Sequence, residues 1–152
     1  MVRKITGFSL VELLILLALI GIMLLIAIPR FFSWKEKLGA ASETKQIFSL
    51  LEKYRSYAFF HKTDINMEFN KKNLIIKDIL NNKELSVVKL KYIFLDNHNN
   101  ANFSIKISKR GTFKKNMSLH TSIETTPNCL VITFNNVRMG TWDEKKKKCI
   151  VK

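Results

Sequence analysis

Glycine, proline and cysteine are scarce in this chain, with five, two and two among 152 residues. The closest pair of glycines, Gly7 and Gly21, is 14 residues apart, so neither a P-loop nor a dinucleotide-binding fingerprint can be written on it. There is no H-E-x-x-H, no G-x-S-x-G and no C-x-x-C, and the three histidines, His61, His98 and His120, stand isolated in the sequence. Ser9 has no base nearby in sequence, which removes it as a nucleophile. No catalytic residue, metal site or cofactor site is therefore expected. Acidic residues are also few, 12 against 26 Lys and Arg, for a formal charge of +14. A surplus of that size points to a polyanionic or anionic-surface partner and says nothing of the fold.

What the chain does have is one long apolar run. Leu13 to Ile28 reads LLILLALIGIMLLIAI, with no polar side chain, and the 21 residues from Phe8 to Ile28 would cover ~31 Å as a helix, about a bilayer's hydrocarbon thickness. A cleaved secretory signal is the competing explanation. Its apolar core is normally shorter than this one, and no A-x-A-type site follows. Arg3 and Lys4 precede the run and favour a cytoplasmic N-terminus with the C-terminal part outside. Glu12 interrupts the start of the run. A carboxylate at that depth costs ~2.5 to 3.5 kcal/mol on insertion scales and calls for a cationic partner.

These residues carry a resemblance. Gly7-Phe8-Ser9-Leu10-Val11-Glu12, followed by the apolar run and Pro29, resembles the N-terminal signal of type IV pilins and pseudopilins. The resemblance implies cleavage between Gly7 and Phe8 by a membrane-embedded prepilin peptidase and methylation of the new amino group on Phe8. It implies a leader of residues 1–7, a transmembrane and assembly helix over 8–28, and a kink at Pro29. The carboxylate matching Glu12 would meet the amino terminus of a neighbouring subunit, turning an unpaired charge in lipid into a paired one in a filament. Other pilin or pseudopilin subunits, the peptidase, an inner-membrane assembly platform and membrane lipid are the implied partners.

Beyond Pro29, Phe31, Trp34, Leu38 and Ala41 recur at helical spacing, and Ala40, Thr44, Ile47, Leu51, Tyr54 and Ala58 form an adjoining stripe. This predicts an amphipathic helix over 29–60, continuous with the first. Phe31, Phe32 and Trp34 suit the level at which a helix leaves the bilayer. From 61 to 152 the pattern changes to short alternating runs between Asn-rich turns. Strands are predicted at Ile65 to Phe69, Leu74 to Ile76, Leu85 to Lys89, Lys91 to Leu95, Phe103 to Ser108, Met117 to Thr121, Cys129 to Phe134 and Val137 to Trp142. A long helix followed by antiparallel strands is an α+β arrangement, here a pilin-like one with a β-rich extracytoplasmic head.

Phe103-Ser104-Ile105 leading to Gly111, then Met117-Ser118-Leu119, Cys129 to Phe134 and Val137-Arg138-Met139-Gly140 loosely resemble the strand order of minor pseudopilins: the H-type subunit of type II secretion, the T-type minor pilin and the competence minor pilin. Those families end in a Gly-Arg-x-Arg-like segment. Here Asn136 and Val137 stand at its first two places and Arg138 follows. Cys129 and Cys149 both lie in the head, where an oxidising compartment would join them in a disulfide worth ~3 kcal/mol; two free thiols is the alternative.

From Ala101 to Lys152 there are 11 Lys and Arg against 3 Asp and Glu. The candidates for contacting DNA are Lys109, Arg110, Lys114, Lys115, Arg138, Lys145, Lys146, Lys147 and Lys148, with Phe113 and Trp142 placed to stack on bases. Anionic lipid headgroups or acidic neighbouring subunits would meet the same cations. The expected function is that of a minor pilin or pseudopilin in a DNA-uptake filament. A type II secretion pseudopilin and a membrane-anchored adhesin or receptor domain are the alternatives.

Overall fold

The structure is a computed structural model that describes residues 9–151. Its elements are a helix α1 (Leu10–His61) and nine strands, β1 (Ile65–Asn70), β2 (Asn73–Asp78), β3 (Lys83–Lys89), β4 (Phe94–Leu95), β5 (Asn102–Ile107), β6 (Met117–Thr121), β7 (Cys129–Thr133), β8 (Asn136–Asp143) and β9 (Lys148–Ile150). By compactness the chain divides into residues 1–36 and 37–152.

Within the first unit, every described side chain is exposed, including Leu25 and Met23. The stretch is long and apolar enough to cross a membrane, and none of it is buried by the rest of the chain. Pro29 lies inside α1 and does not end it. The missing N–H removes one rung of the helical ladder, and the helix continues on both sides of it.

In the second unit, the C-terminal part of α1 lies on two antiparallel sheets. Ala40, Ile47, Leu51, Tyr54 and Ala58 enter the core with Thr44 between them, at alternating steps of four and three that keep one face inward. Of the two predicted stripes this one is buried throughout, whereas the other buries only Ala41. Phe31, Trp34 and Leu38 stay exposed. The Thr44 hydroxyl donates back to the Ala40 carbonyl, which satisfies a polar group in a dry seam.

The first sheet has the order β3-β2-β1-β5 and the second β4-β6-β7-β8-β9. In β1, Ile65, Met67 and Phe69 point inward and alternate with half-exposed Asn66 and Glu68, as period-two strands require. Phe69 and Phe103 face each other across the β1–β5 pairing with rings stacked at 4.5 Å. The sheets join one core that also takes in Leu74, Ile76, Phe94, Ile105, Ile107, Phe113, Leu119, Leu130, Ile132 and Val137.

Two strands differ from expectation. The predicted strand over 91–95 shrinks to Phe94–Leu95, because the backbone N–H groups of Lys91 and Tyr92 donate to the Glu43 carboxylate on α1 at 2.7 and 2.8 Å and so are lost to a ladder. The added strand is β9, which pairs Lys148, Cys149 and Ile150 with Asp143, Trp142 and Thr141 of β8. A three-residue segment that begins with the last residue of the lysine run carries no periodic signal of its own.

Candidate functional site

Gly7 and Phe8, where the cleavage and methylation are expected, lie outside the described residues. Glu12 sits in the first turn of α1, where a carboxylate complements the helix dipole. Among the described residues no group of three His, Cys, Asp or Glu could hold a metal ion.

Cys129 and Cys149 form a disulfide, with Cα atoms 6.1 Å apart. It ties β7 to β9 across β8, and Gly140 lies at the crossing. A Cβ there would run into the Ile150 carbonyl oxygen and lie 2.9 Å from the Cys149 sulfur, so only glycine lets the three strands close up.

The basic candidates separate into two groups. Lys109, Arg110, Lys114 and Lys115 occupy the segment between β5 and β6. That segment is fastened to the β7–β8 turn by the Phe113 N–H, which donates to the Phe134 carbonyl at 2.9 Å. Lys145, Lys146 and Lys147 occupy the β8–β9 turn at the other end of β8, and Lys148 opens β9. Eight residues of β8 extend for ~26 Å at the usual strand rise, so the strand sets the two groups at opposite poles of the head. Arg138 stands on β8 near the first pole, opposite Val131.

At the first pole, Asp64 organises the loop. It accepts from the Lys109 backbone N–H at 2.8 Å and pairs with the Lys114 ammonium. The hydrogen bond from Lys114, then that from Lys109, holds the Asp64 carboxyl below its ordinary range. Lys114 is therefore engaged with a carboxylate, whereas Lys109, Arg110 and Lys115 show no ion pair within 4.0 Å among the described residues.

Gly111 takes a left-handed backbone, φ 73°, and a Cβ there would lie 3.3 Å from both the Arg55 carbonyl oxygen and the Phe59 Cβ. The Arg55 Nε donates to the Gly111 carbonyl at 2.9 Å, and its guanidinium also meets Glu52. The last turns of α1 and this loop thus enclose an open cleft of about 430 Å³ lined by Arg55, Phe59, Phe60 and Arg110 among others. Phe60 is 77% exposed, and Phe134 in the β7–β8 turn is 57% exposed. Lys62 lies 4.2 Å above the Phe59 ring, a cation–π distance.

Phe113, one of the two aromatics expected to stack on bases, is instead fully buried in the core. The exposed rings at this pole are Phe59, Phe60 and Phe134. The adjacent pair Phe59-Phe60 at the end of α1 was a usable sign, since two consecutive helical residues cannot both face one core.

At the second pole, Asp143 caps the turn by accepting from the N–H groups of Lys145 and Lys146, and Lys147 takes φ 47°. Trp142, the other expected stacking residue, has its indole plane parallel to the His120 ring, 3.7 Å between centroids. Burial pushes the His120 pKa down, against the opposing pull of the Glu144 and Asp96 charges.

Compared with protein-family models, with curated proteins and with solved structures, the chain shows no match.

Proposed function

We propose that this chain is a minor pilin or pseudopilin, a non-enzymatic structural subunit of a type IV pilus-like filament. In this reading the chain inserts with its N-terminus in the cytoplasm and is cut between Gly7 and Phe8 by a prepilin peptidase. It is then drawn from the membrane into the filament through its apolar helix, and Glu12 pairs with the amino terminus of a neighbour to set the register. The head stays outside the cytoplasm, where an oxidising environment suits the Cys129–Cys149 bond.

The observation that carries the reading is a single helix, Leu10–His61, whose early part has its apolar side chains exposed while its later part supplies the seat of a β-rich head. A helix apolar all round, with no partner in its own chain, requires lipid or other helices around it. A filament core of such helices meets that requirement once the subunit leaves the bilayer, and a motif with one charge in the first turn fits the pairing of subunits. The DNA contact belonging to this reading is assigned to the pole with Lys109, Arg110 and the exposed Phe59, Phe60 and Phe134, since cations next to bare aromatic rings suit phosphates and bases together.

Mass spectrometry of the protein extracted from membranes tests the processing step. The expected species begins at Phe8, carries an N-methyl group and lacks residues 1–7; a chain that retains Met1 in cells with an active prepilin peptidase sinks the reading.

A further inference from the structure

We propose that the cleft beside Trp142 binds a neutral saccharide, with the indole as a platform and the surrounding hydroxyl and carboxylate groups as its hydrogen-bonding partners. The site lies at the second pole and is independent of how the chain is anchored or assembled.

The cleft has a volume of about 550 Å³, within the usual range for small-ligand sites. Ser122, Thr126 and Thr141 bring hydroxyl-bearing side chains to its wall, and Glu124 and Glu144 bring carboxylate-bearing ones. A hydroxyl both donates and accepts and a carboxylate only accepts, so this wall matches a ligand that is itself covered in hydroxyl groups.

The platform is held in place before any ligand arrives. Its backbone N–H donates to Asn128 Oδ1 at 2.7 Å, and the Asn128 amide donates onward to the Ile123 carbonyl at 3.1 Å. The buried His120 ring stacks on one face of the indole and fixes its tilt, so a ligand meets the partly exposed remainder of the ring that lines the cleft. A ring immobilised in the free protein loses little entropy on binding, which matters for a shallow site with few contacts. The apolar C–H face of a pyranose packs on such a ring while its equatorial hydroxyls reach the rim.

The wall carries groups of both signs. Three carboxylates line the cleft, but Lys145 lines it too, and Asp143 is committed to the turn N–H groups. A neutral polyol can use both, with Lys145 as a donor and Glu124 or Glu144 as an acceptor, and a cationic peptide is the competing ligand that the experiment separates from it.

The experiment uses the full chain in a non-ionic polyoxyethylene detergent that carries no sugar, with Trp34→Phe so that Trp142 is the remaining indole of the two. Cellotetraose, maltotetraose, chitotetraose and, separately, trilysine are titrated while Trp142 emission is followed, and calorimetry on the unsubstituted chain decides if emission is silent. The expected result is saturable binding of at least one tetrasaccharide with a Kd of ~1 mM or tighter, and none of trilysine. Thr141→Val with Glu124→Gln should weaken it at least tenfold while far-UV dichroism stays unchanged. The proposal is overturned if no tetrasaccharide saturates by ~10 mM, if trilysine alone binds, or if the double variant binds as the parent does.

Discussion

His120 shows how a single residue acquires a property from its surroundings. In sequence it is one of three isolated histidines, yet it is buried, stacked on Trp142, and has its Nδ1 without a hydrogen-bond partner. Burial disfavours the imidazolium and lowers the folded-state pKa below 6.5, and the Glu144 and Asp96 charges only partly offset this. The unfolded chain therefore takes up the proton first as pH falls. Stability is complete above about pH 6.5 and declines as pH drops through that value toward the lower folded-state pKa. The urea midpoint should accordingly fall between about pH 7.5 and pH 5.5, and His120→Gln should remove most of that fall. The carboxyls of Asp64, Asp78 and Asp96 are shifted below 3.8, so their contribution to acid loss comes mainly at lower pH. In Asp78, burial pushes the pKa up, and donation from the Thr63 hydroxyl, the Asn81 side chain and the Asn81 and Leu80 N–H groups outweighs it.

At the scale of elements, Glu43 is the joint between the helix and the sheets. It is a buried carboxylate on α1 that receives two backbone N–H groups from the β3–β4 connection, 48 and 49 residues further along the chain. Without it, one buried and one partly buried donor would lose this acceptor. Glu43→Ala should cost about 3 kcal/mol, since hydrogen bonds to charged groups are worth roughly 1.5 to 3 kcal/mol each. Glu43→Gln, which keeps one acceptor oxygen, should cost clearly less. Urea denaturation of the two variants checks this, and equal losses would show that the carboxylate matters only for packing. Gly140 makes a second joint, where β7, β8 and β9 converge under the disulfide.

At the scale of the whole molecule, the positive charge is divided. Reversal of Lys109 and Arg110 to Glu should reduce retention of duplex DNA in low salt at least tenfold and lower the salt slope by about one for each phosphate no longer neutralised. The same reversal of Lys145 to Lys148 should have a smaller effect, because no bare phenylalanine accompanies that pole. Equal losses at the two poles in a filter-retention assay would mean that charge alone retains the DNA. The sequence by itself determined what depends on neighbours along the chain: the bilayer-length apolar helix, the α+β arrangement, most strand spans, and the stripe from Ala40 to Ala58. Helical and strand periodicities are local, so a window of some ten residues contains them. Tertiary structure alone decided what depends on residues distant in sequence. It drew the N–H groups of Lys91 and Tyr92 to Glu43, recruited Lys148–Ile150 as a strand beside β8, buried Phe113 while baring Phe59 and Phe60, and brought Thr121, Glu124 and Thr141 around Trp142. Each of these rests on long-range pairing, whose register is set by the closing of the core and not by the composition of any one segment.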